Sequence, residues 1–398
     1  MQINKHLLIS ILSFLLSIFF EFLSYNVAFI FFLVSVFFLF KFTSLNNYFQ
    51  LVWVSSFSIF SLSPLIILTL LDKEVYLEVF HFSLLCTLIT AFLTKDLVFT
   101  LPSHSSDVSS LPLYFFIALL TVPLVIISGP VVYFSISGLL IFLIYKNASM
   151  NKGTLLFLAF FYLLNFITYV TFVWDGFGRL LLFGYLLPIF LIFIARFKLP
   201  FIKVTLFVLL PFSSILASFI RFKEATIQDI LNFAMQDSVI APYNMVKEII
   251  DNFDNNEFSG FYGIVEQFFA TFLFFIPRFI WEDKPYVFGF QYTINHGSQS
   301  LIDAGHSYAG YFFGENLYYL GAWGYLLSLI YLLLFVYLFR FLHFRFGISI
   351  SVVFLMWVMT FYWGGFGTFF QRLMFSFPFI VFFNLFIKSL LLRNNKGI

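Results

Sequence analysis

The 398-residue chain is 62% hydrophobic and only 10% charged, with a mean hydropathy of +1.00. A water-soluble domain of this size cannot carry such a composition without aggregating, which excludes the soluble fold classes and implies an all-α, polytopic integral membrane protein. The net charge of +2 is uninformative about partners, whereas the placement of the charges is not, and no nucleic-acid partner is expected. Lipid-facing positions accept Phe, Leu and Ile almost interchangeably, so the 67 Phe residues reflect a compositional bias and carry no functional signal. One cysteine, Cys86, rules out an internal disulfide and any cysteine-based metal cluster.

The N-terminus, "MQINKHLLISILSFLLSIFF", has the basic start and apolar run of a signal peptide, but Glu21–Phe22 offers no small-residue cleavage site. It reads as an uncleaved first span. Apolar segments of spanning length then fall at 7–23, 27–40, 51–71, 75–94, 112–128, 130–145, 154–173, 179–195, 203–220, 322–339, 347–363 and 370–390. These give about twelve transmembrane helices in a single membrane domain, 1–398, with no internal repeat. With the N-terminus inside, 13 of the 21 basic residues fall on the cytoplasmic side, as the positive-inside rule requires.

Between spans nine and ten lies the one large polar region, 221–321, which holds 12 of the 19 acidic residues and is expected outside. Within it, "ATIQDILNFAMQDSVIAPYNMVKEIIDNF" repeats apolar residues at helical spacing and is interrupted at Pro242. This predicts two short amphipathic helices lying on the membrane surface. Residues 264–281 are apolar enough to be mistaken for a span. Counting them as a crossing would put the basic loop 340–346 outside, so a re-entrant or interfacial helix is expected.

Charge gathers at a few points on the expected outer side. Arg179 follows "WDGFG" at the start of span eight, and Arg221 ends span nine. Arg372 sits in "GGFGTFFQRL", and Arg278 in "FIPRFIWEDKP", residues 275–285. Interfacial arginines can snorkel to headgroups without further function. Four converging on one face from separate elements suggest a lipid-linked phosphate or pyrophosphate, because the guanidinium fork matches phosphate oxygens bidentately. Lys284 adds a fifth positive charge, and Glu282, Asp283 and Lys284 are expected to pair and fix a turn, or to form only a structural turn.

The stretch "GHSYAGYFFGENLYYLGAWG", 305–324, leads into span ten. Its Glu315 is either a counter-ion to the arginines or a general base accepting a proton from a hydroxyl, and His306 has the same ambiguity. The dense Tyr and Trp residues here suit an interfacial belt or stacking on sugar faces equally. No P-loop, Rossmann fingerprint, Asp-x-Asp pair or HExxH motif occurs, and His296, Asp303 and His306 lack a metal-binding spacing. No metal or other cofactor is therefore expected.

Taken together, some twelve spans, a late outer loop, the Gly176, Gly178, Arg179 step, "PRFIWEDKP" and "GENLYYLGAWG" resemble the O-antigen polymerases, the Wzy-type oligosaccharide repeat-unit polymerases. The resemblance implies a GT-C-like membrane fold in the bacterial inner membrane with its active site facing the periplasm. It implies transfer of a glycan on undecaprenyl pyrophosphate to an incoming lipid-linked repeat unit, with membrane lipid and a chain-length regulator as partners. By that resemblance Arg179, Arg278, Lys284, Glu315 and Arg372 match the family's polar positions, while Arg221 matches in placement only. Competing readings are an O-antigen ligase, and a flippase or transporter of the same lipid-linked sugar.

Overall fold

The computed structural model describes residues 4–99, 137–145, 152–172, 226–235, 240–253, 260–303 and 307–394, with short pieces at 186–187, 190–191, 209–212 and 215. Every regular element among them is helical, as a chain without water to bond its peptide groups requires. In chain order these are α1 (Lys5–Glu21), α2 (Tyr25–Phe42), α3 (Tyr48–Leu70, with a π-turn at Ser58–Leu62), α4 (Leu77–Leu93) and α5 (Lys152–Phe172). Next come α6 (Ile227–Met235), α7 (Ala241–Asp251), α8 (Gly260–Phe272), α9 (Phe288–His296) and α10 (Gln299–Asp303). The last four are α11 (Tyr311–Leu320), α12 (Trp323–Phe346), α13 (Ile348–Met356) and α14 (Val358–Asn394).

Among the described residues, α2, α3 and α12 are long and apolar enough to cross a membrane, and a bent pair near the C-terminus would make a fourth if its two helices form one span. The expected spans 7–23, 27–40, 51–71, 75–94, 154–173 and 322–339 coincide with α1 to α5 and α12. Those at 112–128, 179–195 and 203–220, and most of 130–145, lie outside the described residues. Within expected span eleven, 347–363, the helix breaks at Trp357, between α13 and α14. A second break at Gly365 falls where spans eleven and twelve were expected to part.

The chain divides into two compact units. The first comprises Met1–Val98, Phe197–Leu338 and Val358–Thr368. Its centre is α3, buried over 94% of its apolar window, against 28% for α2 and 33% for α12. The latter two, with α1, turn Leu12, Phe19, Phe37, Leu333 and Tyr337 outward, an apolar surface that lipid would cover. The fully buried Trp53 of α3 is ringed by Phe49, Phe312, Phe335, Phe361 and Tyr362. The hairpin of α1 and α2 is sewn by serines: Ser10 Oγ donates to the Ser35 carbonyl at 2.7 Å, and Ser35 Oγ returns the bond to the Ser10 carbonyl at 2.8 Å. Small hydroxyl residues let two helices approach closely while satisfying their own polar atoms.

The expected pair of amphipathic helices is present as α6 and α7, with Pro242 in the first turn of α7, where its missing N–H costs nothing. The apolar side of α7 is covered by the chain itself. Its apolar stripe, Tyr243, Met245, Val246 and Ile249, is buried, with Met245 and Val246 against Gly310 and Gly314 at the start of α11. Within the stretch 264–281 the helix is α8, which ends at Phe272; its 13 residues rise about 20 Å, short of a hydrocarbon core about 30 Å thick.

The second unit comprises Phe99–Arg196, Phe339–Trp357 and Phe369–Ile398. Within it Trp357 Nε1 donates to Ser376 Oγ at 3.2 Å, and that hydroxyl donates to the Arg372 carbonyl at 3.1 Å. His343 Nδ1 lies 3.0 Å from Ser351 Oγ.

In the first unit the buried Tyr311 hydroxyl donates to the Phe60 carbonyl in the π-turn of α3 at 2.5 Å. Tyr311→Phe removes this buried bond, at a cost of about 0.5–1.5 kcal/mol. Thermal unfolding of the purified protein in detergent should show this loss, and Tyr318→Phe, at a more exposed position, should show much less.

Candidate functional site

Two charged features of the first unit meet at one stretch of α14. The first is the loop between α8 and α9. Its helix stops at Phe272, and Pro277 prevents it from resuming because the preceding residue is driven from helical backbone angles. The exposed carbonyls that follow are taken by the Lys284 ammonium, which donates to Phe274 at 2.7 Å and Ile276 at 2.9 Å. Arg278 donates one N–H to the Lys284 carbonyl at 2.6 Å and lays its guanidinium 3.7 Å from the centre of the Tyr286 ring. Gln267 Nε2 of α8 bonds the Tyr286 carbonyl at 2.8 Å, which fixes the far end of the loop.

The expected pairing of Glu282 and Asp283 with Lys284 is corrected by this arrangement. Both carboxylates are exposed, and the ammonium turns to backbone carbonyls, because a helix end and a proline leave acceptors there that must be satisfied. Partial burial and the nearby Arg278 charge together hold the Lys284 ammonium below its ordinary affinity for a proton. Arg278 is exposed, and the rest of its fork is open to a ligand.

The second feature is Glu315, on α11 one turn after Tyr311. Its carboxyl lies deep among packed atoms, and the residue as a whole keeps some accessible surface. The hydroxyls of Tyr319 and Tyr331 face it. Burial raises the carboxyl from the ordinary 4.5 to about 7, with no neighbouring charge contributing among the described residues. The folded state therefore binds this proton more tightly than the unfolded chain. Its stabilising contribution is complete below pH 4.5 and is lost as pH rises through about 7.

The meeting point is "GGFG", 364–367. Gly365 has φ +82° and ψ −174°, a conformation essentially reserved for glycine, and a Cβ there would stand 3.4 Å from Glu315 Oε2. Two residues on, a Cβ at Gly367 would stand 2.9 Å from Thr271 Oγ1 and 3.2 Å from Val287, at the two ends of the Lys284 loop. The same short segment thus seats the Glu315 carboxyl and the base of the cationic loop. The sequence drew attention to these glycines only as the flank of Arg372.

Of the other expected site residues, Arg179, Arg221 and His306 lie outside the described residues. Arg372 is half-buried on α14 in the second unit, whereas Arg278, Lys284 and Glu315 belong to the first. Several of the aromatic residues noted in the sequence pack on each other, while Trp323 is exposed and Trp174 lies outside the described residues. Tyr292 is ringed by His296 at 4.4 Å, Tyr318 at 5.5 Å and Tyr308 at 5.6 Å, and Asn295 Nδ2 donates to the Tyr318 hydroxyl at 3.0 Å. Asn295 and Tyr331 carried no signal in the sequence, since a lone polar group in an apolar run identifies no neighbour.

No protein-family model, curated protein or solved structure matches this chain. The chemistry of the site therefore rests on its own residues.

Gly365→Ala should cost about 1–3 kcal/mol of stability from backbone strain. It should also displace the Glu315 carboxyl. Gly364→Ala, whose added methyl would meet only the Thr368 side chain at 3.4 Å or more, is the control and should unfold near the parent temperature.

Proposed function

We propose that this protein is a membrane glycosyltransferase that polymerises undecaprenyl-pyrophosphate-linked oligosaccharide repeat units into O-antigen or a related surface polysaccharide. In this reading the chain crosses the bacterial inner membrane about twelve times with both termini in the cytoplasm. Residues 221–321 then face the periplasm, where the reaction takes place. The observation that carries the reading is Glu315, a deep carboxyl poised near neutral pH, seated on the same glycine-rich segment as the Arg278–Lys284 loop. A hydroxyl nucleophile needs a base of this kind, and a departing pyrophosphate needs positive charge.

In the reaction the acceptor hydroxyl of the incoming repeat unit attacks the anomeric carbon of the growing glycan. The bond from that carbon to the pyrophosphate oxygen breaks, and Glu315 takes the hydroxyl proton. Arg278, through the open part of its fork, neutralises the undecaprenyl pyrophosphate that leaves; Arg179, Arg221 and Arg372 are further candidates for phosphate contacts. Lys284 acts by holding Arg278 in its loop. His306 is the second candidate for the base.

Deletion of the gene should leave lipid A core bearing at most one repeat unit, read from the glycan ladder on a gel, because flipping and ligation continue without chain growth. Loss of all glycan attachment would point to a ligase, and repeat units stranded on the cytoplasmic face to a flippase. Complementation with Glu315→Gln should restore chain growth about 10²–10⁴-fold more slowly than the parent. Long chains at normal levels from that variant would assign Glu315 to structure. Arg278→Lys keeps the charge but loses the bidentate fork, and should shorten the ladder.

A further inference from the structure

Glycosyl transfer as described above makes no use of a second polar cluster, enclosed by α1, α2 and α4 at one end of the first unit. Ser17 and Glu21 lie one turn apart on α1, and His81 projects between them from α4. Ser17 Oγ donates its single proton to the Ala28 carbonyl at 2.7 Å and lies 2.8 Å from His81 Nε2. With the serine proton already used, its lone pair faces the ring, so Nε2 must be the nitrogen that carries hydrogen. That leaves Nδ1 as the open nitrogen. It is buried and has no aligned hydrogen-bond partner, yet Glu21 Oε2 stands 3.0 Å away.

A bare nitrogen lone pair and a carboxylate repel each other at that distance. One proton placed between them gives an imidazolium facing a carboxylate, or a neutral imidazole facing a carboxylic acid, and either arrangement is attractive. The surroundings supply no other positive charge among the described residues. Glu78 faces Glu21 from α4, Tyr25 faces it from α2, and Tyr325 of α12 faces Glu78. Phe14 and Phe32 close the sides of the ring at 6.0 and 5.8 Å, and no titratable group of α3 faces the pair among the described residues. The two partners differ in access: the His81 side chain is 6% exposed, and that of Glu21, at the end of α1, is 32% exposed.

We infer that His81 Nδ1 and Glu21 form a proton-binding site within the apolar helices, loaded and unloaded through Glu21, with Ser17 holding the imidazole in the orientation that leaves Nδ1 open. An ionisable group inside an apolar helix is costly and needs a partner, and here the partner is complete only when the proton is present. The inference stands independently of glycosyl transfer, because none of these residues takes part in it.

The test is ¹⁵N NMR of the full-length protein in lipid nanodiscs, with labelled histidine, across a pH series. The His81 signals are assigned by their disappearance in His81→Asn. In the parent, Nε2 should remain protonated throughout while Nδ1 gains a proton as pH falls. Glu21→Gln should weaken the Nδ1 protonation equilibrium about tenfold to a thousandfold, the effect of removing an opposite charge at this range. Glu21→Asp, which keeps the charge, should restore part of that loss, and serves if the Gln variant folds poorly. Ser17→Ala should admit both ring tautomers while the dependence on Glu21 persists. A ring protonated only on Nδ1 in the parent, or a protonation equilibrium unchanged in both Glu21 variants, would overturn the inference.

Discussion

Away from water an unpaired peptide group costs several kcal/mol, and this requirement fixes several polar side chains among the described residues. Unbroken helices satisfy it without help. Where a helix breaks, carbonyls and amides are released, and a side chain can take them. Lys284 does so for Phe274 and Ile276, and the Tyr311 hydroxyl does so for Phe60 in the π-turn of α3. At the corner between α11 and α12, Asn316 donates to Ser328 Oγ at 2.9 Å, and Ser328 returns to the Gly324 carbonyl at 2.7 Å. Polar chemistry therefore collects at helix breaks. The candidate site lies among three of them: the end of α8, the start of α11 and the kink at Gly365.

This explains why so many charges crowd into residues 278–284 of a chain that otherwise avoids them. The lysine closes a helix end, the arginine closes the loop over the lysine, and the two carboxylates remain outside. Positive charge used in this way is not lost to a ligand. Arg278 is anchored by one N–H and by Tyr286, and an anchored fork loses less freedom on binding phosphate than a free one.

Much of the architecture was legible in the sequence because it follows from composition and period. The apolar runs that became α1 to α4 and α12 could form nothing else in lipid, and Pro242 marked the start of α7. The break at Trp357 was not legible, since "SVVFLMWVMTFYW" is apolar throughout and holds no proline, glycine or charge to announce it. The covering of α7 was also hidden: an apolar stripe is the same whether lipid or α11 lies against it. Glu315 could be picked out as an isolated carboxylate, but its seat at Gly365 depends on a contact across some fifty residues of chain, which no local pattern encodes. The Ser17, Glu21 and His81 cluster was missed for the same reason, because each member alone is a lone polar residue in an apolar helix.

The account depends most on the state of the Glu315 carboxyl, a buried acid with no cationic partner among the described residues and two tyrosines in view. If it were paired, it would be a structural counter-ion. Unpaired, it fits the base of the proposed reaction. Infrared difference spectroscopy of the protein in nanodiscs, titrated with pH, isolates its protonated carbonyl band as the one that Glu315→Gln abolishes. The account predicts that this band disappears with a midpoint near pH 7. A midpoint in the ordinary carboxylate range, near 4.5, would contradict it.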